Sequence, residues 1–234
     1  MIVSVEGIDG AGKRTLSNNL AKVASGAGVE VRQLSFPRYG RSVTSSSISA
    51  LLATQSSAST MDARFAAALF ASERLEAMPI LREAVGNHRL LLVDRYVHSN
   101  MAYQVARALP SDEDVLLGWI ERLEFGLFDI PRPDLVVLID VDPATSMART
   151  QSRPLQDGRP AEDKYEGDQM LLEGARRIYL QLCHTDQITP WVLVPQTGGI
   201  SAEAVASQLW DEHIEAMIGT ADGSRKSNDQ EEDK

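Results

Sequence analysis

The stretch Ile2-Val-Ser-Val-Glu6, with Gly7-Ile-Asp-Gly-Ala-Gly12-Lys13 directly behind it, decides the fold of this chain. A short β-branched run reads as a strand, and Leu16, Leu20 and Val23 beyond the glycines have helical spacing. Strand, glycine turn and helix in that order satisfy the G-x-x-x-x-G-K part of the phosphate-binding loop. Glycines let the backbone curl so that successive N–H groups point inward, and the helix N-terminus adds positive potential for phosphate. Gly7, Ile8, Asp9, Gly10, Ala11, Gly12, Lys13, Arg14 and Thr15 are therefore the expected triphosphate cradle, with Lys13 placed to neutralise the β- and γ-phosphates. An ordinary glycine-rich turn gives no reason for a lysine at this spacing. The usual pattern puts Ser or Thr directly after the lysine as a Mg²⁺ ligand, whereas this chain has Arg14 there and Thr15 one place later. Either Thr15 reaches the metal from a shifted geometry, or carboxylates and phosphate oxygens hold Mg²⁺ while Arg14 adds charge beside the phosphates. The second arrangement is favoured.

Outward from the loop, the same rhythm repeats. Further strands are expected at 29–35, 90–93, 134–141 and 191–194, with 90–93 continuously apolar as in a parallel sheet buried on both faces. Helical patterns fill the gaps: a short helix within 42–60, one helix or two over 62–85 with Pro79 as a boundary, then 99–108, 112–125 ended by Gly126, one opened by Pro143, 168–184 and 202–218. Alternating strands and helices predict an α/β P-loop NTPase fold, a five-stranded parallel sheet flanked by helices, in one domain over 1–218. A lid is expected at about 149–163, where Pro154, Gly158 and Pro160 interrupt regular structure, and a disordered acidic tail at 219–234.

Composition narrows the partners. Of 234 residues, 43% are hydrophobic and 24% charged, which suits one globular domain. A net charge of -10 argues against a nucleic-acid footprint, so an anionic substrate needs a local basic pocket. No stretch approaches the roughly 20 apolar residues of a membrane span, and the start lacks the features of a signal peptide. The expectation is a soluble, cytoplasmic protein with no membrane partner. Cys183 is the single cysteine, and His88, His98, His184 and His213 have no metal-ligand spacing with it, which argues against structural zinc.

Several side chains suggest an acceptor site. A bare carboxylate at Asp9, inside the phosphate loop, would repel a nucleotide unless a cation or substrate hydroxyl lies nearby; it is a candidate Mg²⁺ or acceptor-side ligand, with a loop-capping turn as the alternative. Asp94 and Arg95 follow a buried strand, where open α/β sheets place ligand-binding residues. Phe70 and Arg74 share a helix face, offering a pyrimidine a ring to stack on and a forked donor. Asn100 and Tyr103 share another. Arg149, Arg153 and Arg159 flank or occupy the expected lid, whose closure would deliver cations to a developing negative charge.

Four motifs then resemble one family. E-G-I-D-G-A-G-K (Glu6 to Lys13), F-P-R-Y-G (Phe36 to Gly40), D-R-Y-V-H-S-N-x-A-Y (Asp94 to Tyr103) and D-K-Y-E (Asp163 to Glu166) together are similar to thymidylate kinases. The resemblance covers nearly everything except the tail. It implies transfer of the γ-phosphoryl group of ATP to dTMP, with Mg²⁺, by a homodimer whose candidate contact regions are 65–75 and 116–128. It implies that Arg95 grips the acceptor phosphate and that Asp94 positions the metal or the catalytic groups. Asn100 would read the base, and Tyr103 would crowd the deoxyribose against a 2′-hydroxyl. Tyr39 would meet the phosphate or sugar, while Phe36 and Tyr165 would wall the pocket. Family members with a small residue at the position of Gly10 draw the catalytic arginine from the lid. Arg153 is the first choice for that role, Arg149 is assigned to adenine, and Arg159 has no assigned role. Asp163 and Glu166 would contact the metal directly or through water, or else supply capping charge to the next helix. The implied catalytic set is thus Lys13, Asp94, Arg95 and Arg153. Alternatives are another P-loop nucleotide or deoxynucleoside kinase and a non-catalytic nucleotide-binding module. A guanine-reading switch would need N-K-x-D, and no Asn-Lys pair occurs in the chain.

Overall fold

The computed structural model describes residues 1–54, 62–87, 90–151, 168–186, 189–195 and 200–219. Five strands, β1 (Ile2–Glu6), β2 (Val31–Ser35), β3 (Leu90–Asp94), β4 (Leu135–Asp140) and β5 (Trp191–Pro195), form one sheet in the order β2-β3-β1-β4-β5. Every pairing is parallel. β1 is buried along its whole length, and β3 and β4 up to their last residues, because both sheet faces are covered. Successive side chains of a strand point to opposite faces, so each strand feeds two cores. Val3, Val5, Leu90, Leu92, Leu135 and Val137 pack with Leu16 and Leu20 of α1 (Lys13–Gly26) and Leu209 of α9 (Ala202–Leu209). On the other face, Leu91, Val93 and Leu138 meet α5 (Val97–Val105) and α8 (Gln169–Thr185) through Val97, Met101, Leu172 and Ile178. β2, the edge strand, stays partly exposed.

The remaining helices are α2 (Val43–Thr54), α3 (Ala63–Glu76), α4 (Met78–Asn87), α6 (Glu113–Glu121) and α7 (Pro143–Gln151). The pattern over 62–85 resolves into two helices, with Pro79 in the first turn of α4, where its missing N–H has no helical acceptor to lose. The expected break at Gly126 does not occur. After α6 the chain continues as a π-helical segment, Arg122–Leu127, and the Phe128 N–H bonds Leu123 O. Glu124 within that segment is fully buried. A second π-helical segment, Trp210–Ile214, extends α9, and helix continues to Gly219, one residue into the region expected to be tail. The rest of the tail lies outside the described residues.

Register fixes the site. Val5 pairs with Asp94 and Glu6 with Leu138, so the carboxyl ends of β1, β3 and β4 line one edge of the sheet. From β1, at the centre, the chain crosses to the far edge strand β2, while β3 and β4 flank β1 on either side. This is the switch point at which open α/β sheets bind ligands. Among the described residues, no helix is long and apolar enough to cross a membrane.

Candidate active site

The phosphate loop takes its shape from positive φ angles at Gly7 (139°), Gly10 (74°) and Gly12 (99°). A Cβ at Gly7 would lie 2.6 Å from the Ile139 carbonyl oxygen, and one at Gly10 would strike the backbone of Ser146 in α7. Gly10 thus has a packing reason to be small. Ser146 Oγ donates to Asp9 O, and Arg149 Nη1 reaches Gly10 O at 3.5 Å, so α7 braces the loop. Lys13 Nζ donates to Gly7 O at 3.0 Å and Ile8 O at 2.8 Å, which draws the ammonium over the loop. Burial, and after it the positive charge of Arg95, push the Lys13 ammonium down to about 8, with Asp9 and Asp94 acting in the opposite sense. Arg14 and Thr15 are exposed on the first turn of α1.

Across from the loop stands Arg95, held at φ 65°, a conformation uncommon for a residue with a side chain. Its N–H is fixed by Val5 O at 3.1 Å. Arg95 Nη2 pairs with Asp9 Oδ1 at 2.5 Å, and Tyr103 OH donates to Asp9 Oδ2 at 2.8 Å. The guanidinium also lies over the Tyr103 ring, 5.1 Å from its centroid. Asp9 therefore has beside it the cation that a carboxylate within a phosphate loop requires. Burial, reinforced by Asp9, pushes the Tyr103 phenol up, so it remains a donor. Asp94 Oδ1 is buried without a hydrogen-bond partner.

Two cavities meet at Asp9 and Arg95. A groove of about 870 Å³ runs from the phosphate loop past Asp94 and Arg95 toward Tyr39. A narrower slot is walled by Phe36, Tyr39, Phe70, Arg74, Asn100 and Tyr103. Phe70 is partly buried, packs against the core and also lines this slot. Arg74 and Asn100 depart from the simple picture of free donors. Arg74 Nε and Nη2 each lie 2.5 Å from Glu124, with the arginine 2% exposed. Asn100 Nδ2 donates to Ala67 O and to Glu124 Oε1, and the buried Asn100 Oδ1 lacks a partner. The polar atom Asn100 offers the slot is thus an acceptor, because a third buried residue has already taken its donor.

Glu124 was not singled out by motif, yet its position carried a signal. It follows Leu116 and Ile120 at intervals of four, on the buried side of that helical pattern. Glu6 and Tyr179 were missed in the same way. Glu6 ends the fully buried β1, and Tyr179 follows Leu171 and Ala175 at the same interval on the core face of α8. Arg153, Arg159, Asp163, Tyr165 and Glu166 lie outside the described residues, as does most of the expected lid. Among the described residues, no group of three or more His, Cys, Asp and Glu could hold a metal ion.

Glu124→Ala leaves the buried Arg74 guanidinium without its carboxylate, and urea denaturation should show a loss of about 3–5 kcal/mol. With Lys13 titrating near 8, raising the pH removes the charge that faces the phosphates. ATP affinity by calorimetry should fall about tenfold between roughly pH 7 and pH 9.5, whereas Lys13→Ala should bind weakly with no such slope.

Known proteins supply the family. The thymidylate kinase family model matches residues 5–194. The thymidylate kinase of Mycobacterium tuberculosis (strain ATCC 25618 / H37Rv) is 32% identical over 194 residues, spanning 83% of this chain and 91% of the relative. That of Xanthomonas euvesicatoria pv. vesicatoria (strain 85-10) is 33% identical over 154 residues, 65% of this chain and 62% of the relative. With the parallel sheet, the glycine loop and the paired Asp9 and Arg95 already in place, the match over most of its length shows that this chain belongs to the thymidylate kinase family.

Proposed function

We propose that this chain transfers the γ-phosphoryl group of ATP to dTMP, giving ADP and dTDP. The observation that carries this reading is Arg95. It is a guanidinium fixed beside the phosphate loop at the junction of a triphosphate-sized groove and an aromatic slot. In that role Arg95 grips the acceptor phosphate, and the pyrimidine enters between Phe70 and the wall formed by Phe36, Asn100 and Tyr103. The attacking phosphate oxygen is already anionic, so no strong base is required and catalysis is positioning and charge neutralisation. Lys13 neutralises the donor phosphates, Arg149 lies toward adenine, and Arg153 from the lid supplies the further cation. Tyr39 contacts the phosphate or sugar, with Tyr165 closing the pocket.

The buried, unpartnered Asp94 Oδ1 beside Arg95, together with the Asp9 carboxylate, provides the hard oxygen donors that Mg²⁺ prefers. Asp9 and Asp94, with Asp163 and Glu166, would hold the ion. When bound, it neutralises charge on the donor phosphates. In this reading residues 1–218 form one kinase domain working in the cytoplasm as a homodimer. Exposed Phe65 and Leu75 of α3 and Val115 of α6 are apolar surface for the dimer contact.

ADP release from MgATP should be fastest with dTMP among dTMP, dUMP, dCMP, UMP and dGMP. Arg95→Ala should lower kcat/KM for dTMP by at least about 100-fold while ATP affinity holds, consistent with loss of a charged contact to the reacting group. Preference for another acceptor would overturn the substrate assignment, and ATP binding without turnover would overturn catalysis. Light scattering at micromolar concentration should give twice the chain mass, with Phe65→Asp shifting it to the monomer.

A further inference from the structure

Glu6 is a fully buried carboxylate at the end of the central strand, on the same edge as the phosphate loop. Its oxygens are divided between two tasks. Glu6 Oε1 accepts the Tyr96 N–H at 2.8 Å, next in sequence to Arg95, whose own N–H is held by Val5 O. The left-handed turn at Arg95 is therefore pinned on both sides by β1, by a main-chain carbonyl before it and a side-chain carboxylate after it. Such a conformation persists only when its surroundings over-determine it. Glu6 Oε2 accepts from Ser99 Oγ at 2.6 Å and from Tyr179 OH at 2.9 Å, while those two oxygens lie 2.7 Å apart. Ser99 Oγ in turn receives Arg95 Nη1 at 3.3 Å.

These contacts form a continuous chain from α8 to the guanidinium. Tyr179 stands about three turns along α8, a helix whose N-cap, Asp168, follows the expected lid in sequence. Burial, and then the Glu6 carboxylate, push the Tyr179 phenol up, which keeps its hydroxyl proton in place as a donor. Asp9 and Tyr103 hold the other terminal nitrogen, Nη2. Only the Nη1 side depends on Ser99, so Glu6 and Tyr179 act on the orientation of the guanidinium plane as well as on the backbone beneath it.

We propose that Glu6 and Tyr179 are positioning residues for Arg95, acting through Ser99 and the Tyr96 N–H to aim its guanidinium and to tie that aim to α8. This rests on Arg95 being the ligand of the acceptor phosphate. Neither residue touches substrate in this scheme; their effect appears only through Arg95.

The test is a double-mutant cycle on the full chain, read by steady-state kinetics with MgATP and dTMP. Tyr179→Phe removes one hydroxyl from a packed ring, and it should raise KM for dTMP about fivefold, in line with loss of one hydrogen bond, with KM for ATP unchanged and the chain still folded at the assay temperature. In an Arg95→Lys background, where Nη1 no longer exists, the same change should alter KM for dTMP by less than about twofold, because coupled residues are non-additive. Glu6→Gln should act in the same direction and more strongly; if that variant does not fold, the Tyr179 cycle still decides. An equal Tyr179→Phe effect in both backgrounds, or none in the Arg95 background, would overturn the proposal. If Arg95→Lys leaves KM for dTMP unchanged, the assignment of Arg95 to the acceptor phosphate fails instead, whatever Tyr179→Phe does.

Discussion

An arginine with little exposed surface, paired at 2.5 Å with a carboxylate from inside the phosphate loop, is the constraint around which the rest of the site is arranged. Neither partner is comfortable alone. Asp9 would repel phosphates in its loop, and a part-buried Arg95 without a counter-charge would be destabilising. Together they form a locally neutral pair; in the proposed reaction the substrate phosphate would take the guanidinium and free the carboxylate for a metal or a sugar hydroxyl. The fold supplies the geometry, because β1 delivers Asp9 and β3 delivers Arg95 to the same edge of adjacent parallel strands.

The second layer of the site is built from buried carboxylates. Glu124 holds Arg74 and Asn100, Glu73 holds Arg38 at 2.9 Å, and Glu6 holds the Arg95 turn. In a chain with a net charge of -10, the groove is nonetheless lined by Lys13, Arg14, Arg32, Arg38, Arg41 and Arg95, and interior acids fix the direction of Arg38 and Arg95. Buried charge pairs of this kind add little net stability compared with apolar packing, so their value lies in orientation. Burial also raises the Glu73 carboxyl, which Arg38 counters by hydrogen bonding to it.

The sheet, its parallel sense and the phosphate loop were legible because each rests on local signals: β-branched runs, glycines that must take positive φ, and helical spacing. Phe36, Tyr39, Asn100 and Tyr103 stand in the motifs, Phe70 and Arg74 were picked out by their shared helix face, and the structure brings all six to one cavity. What the motifs could not convey was how the donors are already engaged. Glu124 sits 50 residues from Arg74, and Tyr179 sits 173 residues from Glu6, so their pairing depends on tertiary packing that no local pattern encodes. The helix over 112–125 was expected to stop at Gly126, yet it widens into a π-helical segment. The glycine's weak helix propensity yields there to the burial of a charged residue with a waiting partner.

The most direct measurement is a crystal structure of the chain with dTMP, a nonreactive ATP analogue and Mg²⁺. The dTMP phosphate should lie within hydrogen-bond distance of the Arg95 guanidinium, the thymine between Phe70 and Asn100, and the donor phosphates on the Gly7 to Thr15 loop with Lys13 withdrawn from the loop carbonyls. A dTMP phosphate bound away from Arg95, with the Asp9 to Arg95 pair still closed, would contradict this arrangement.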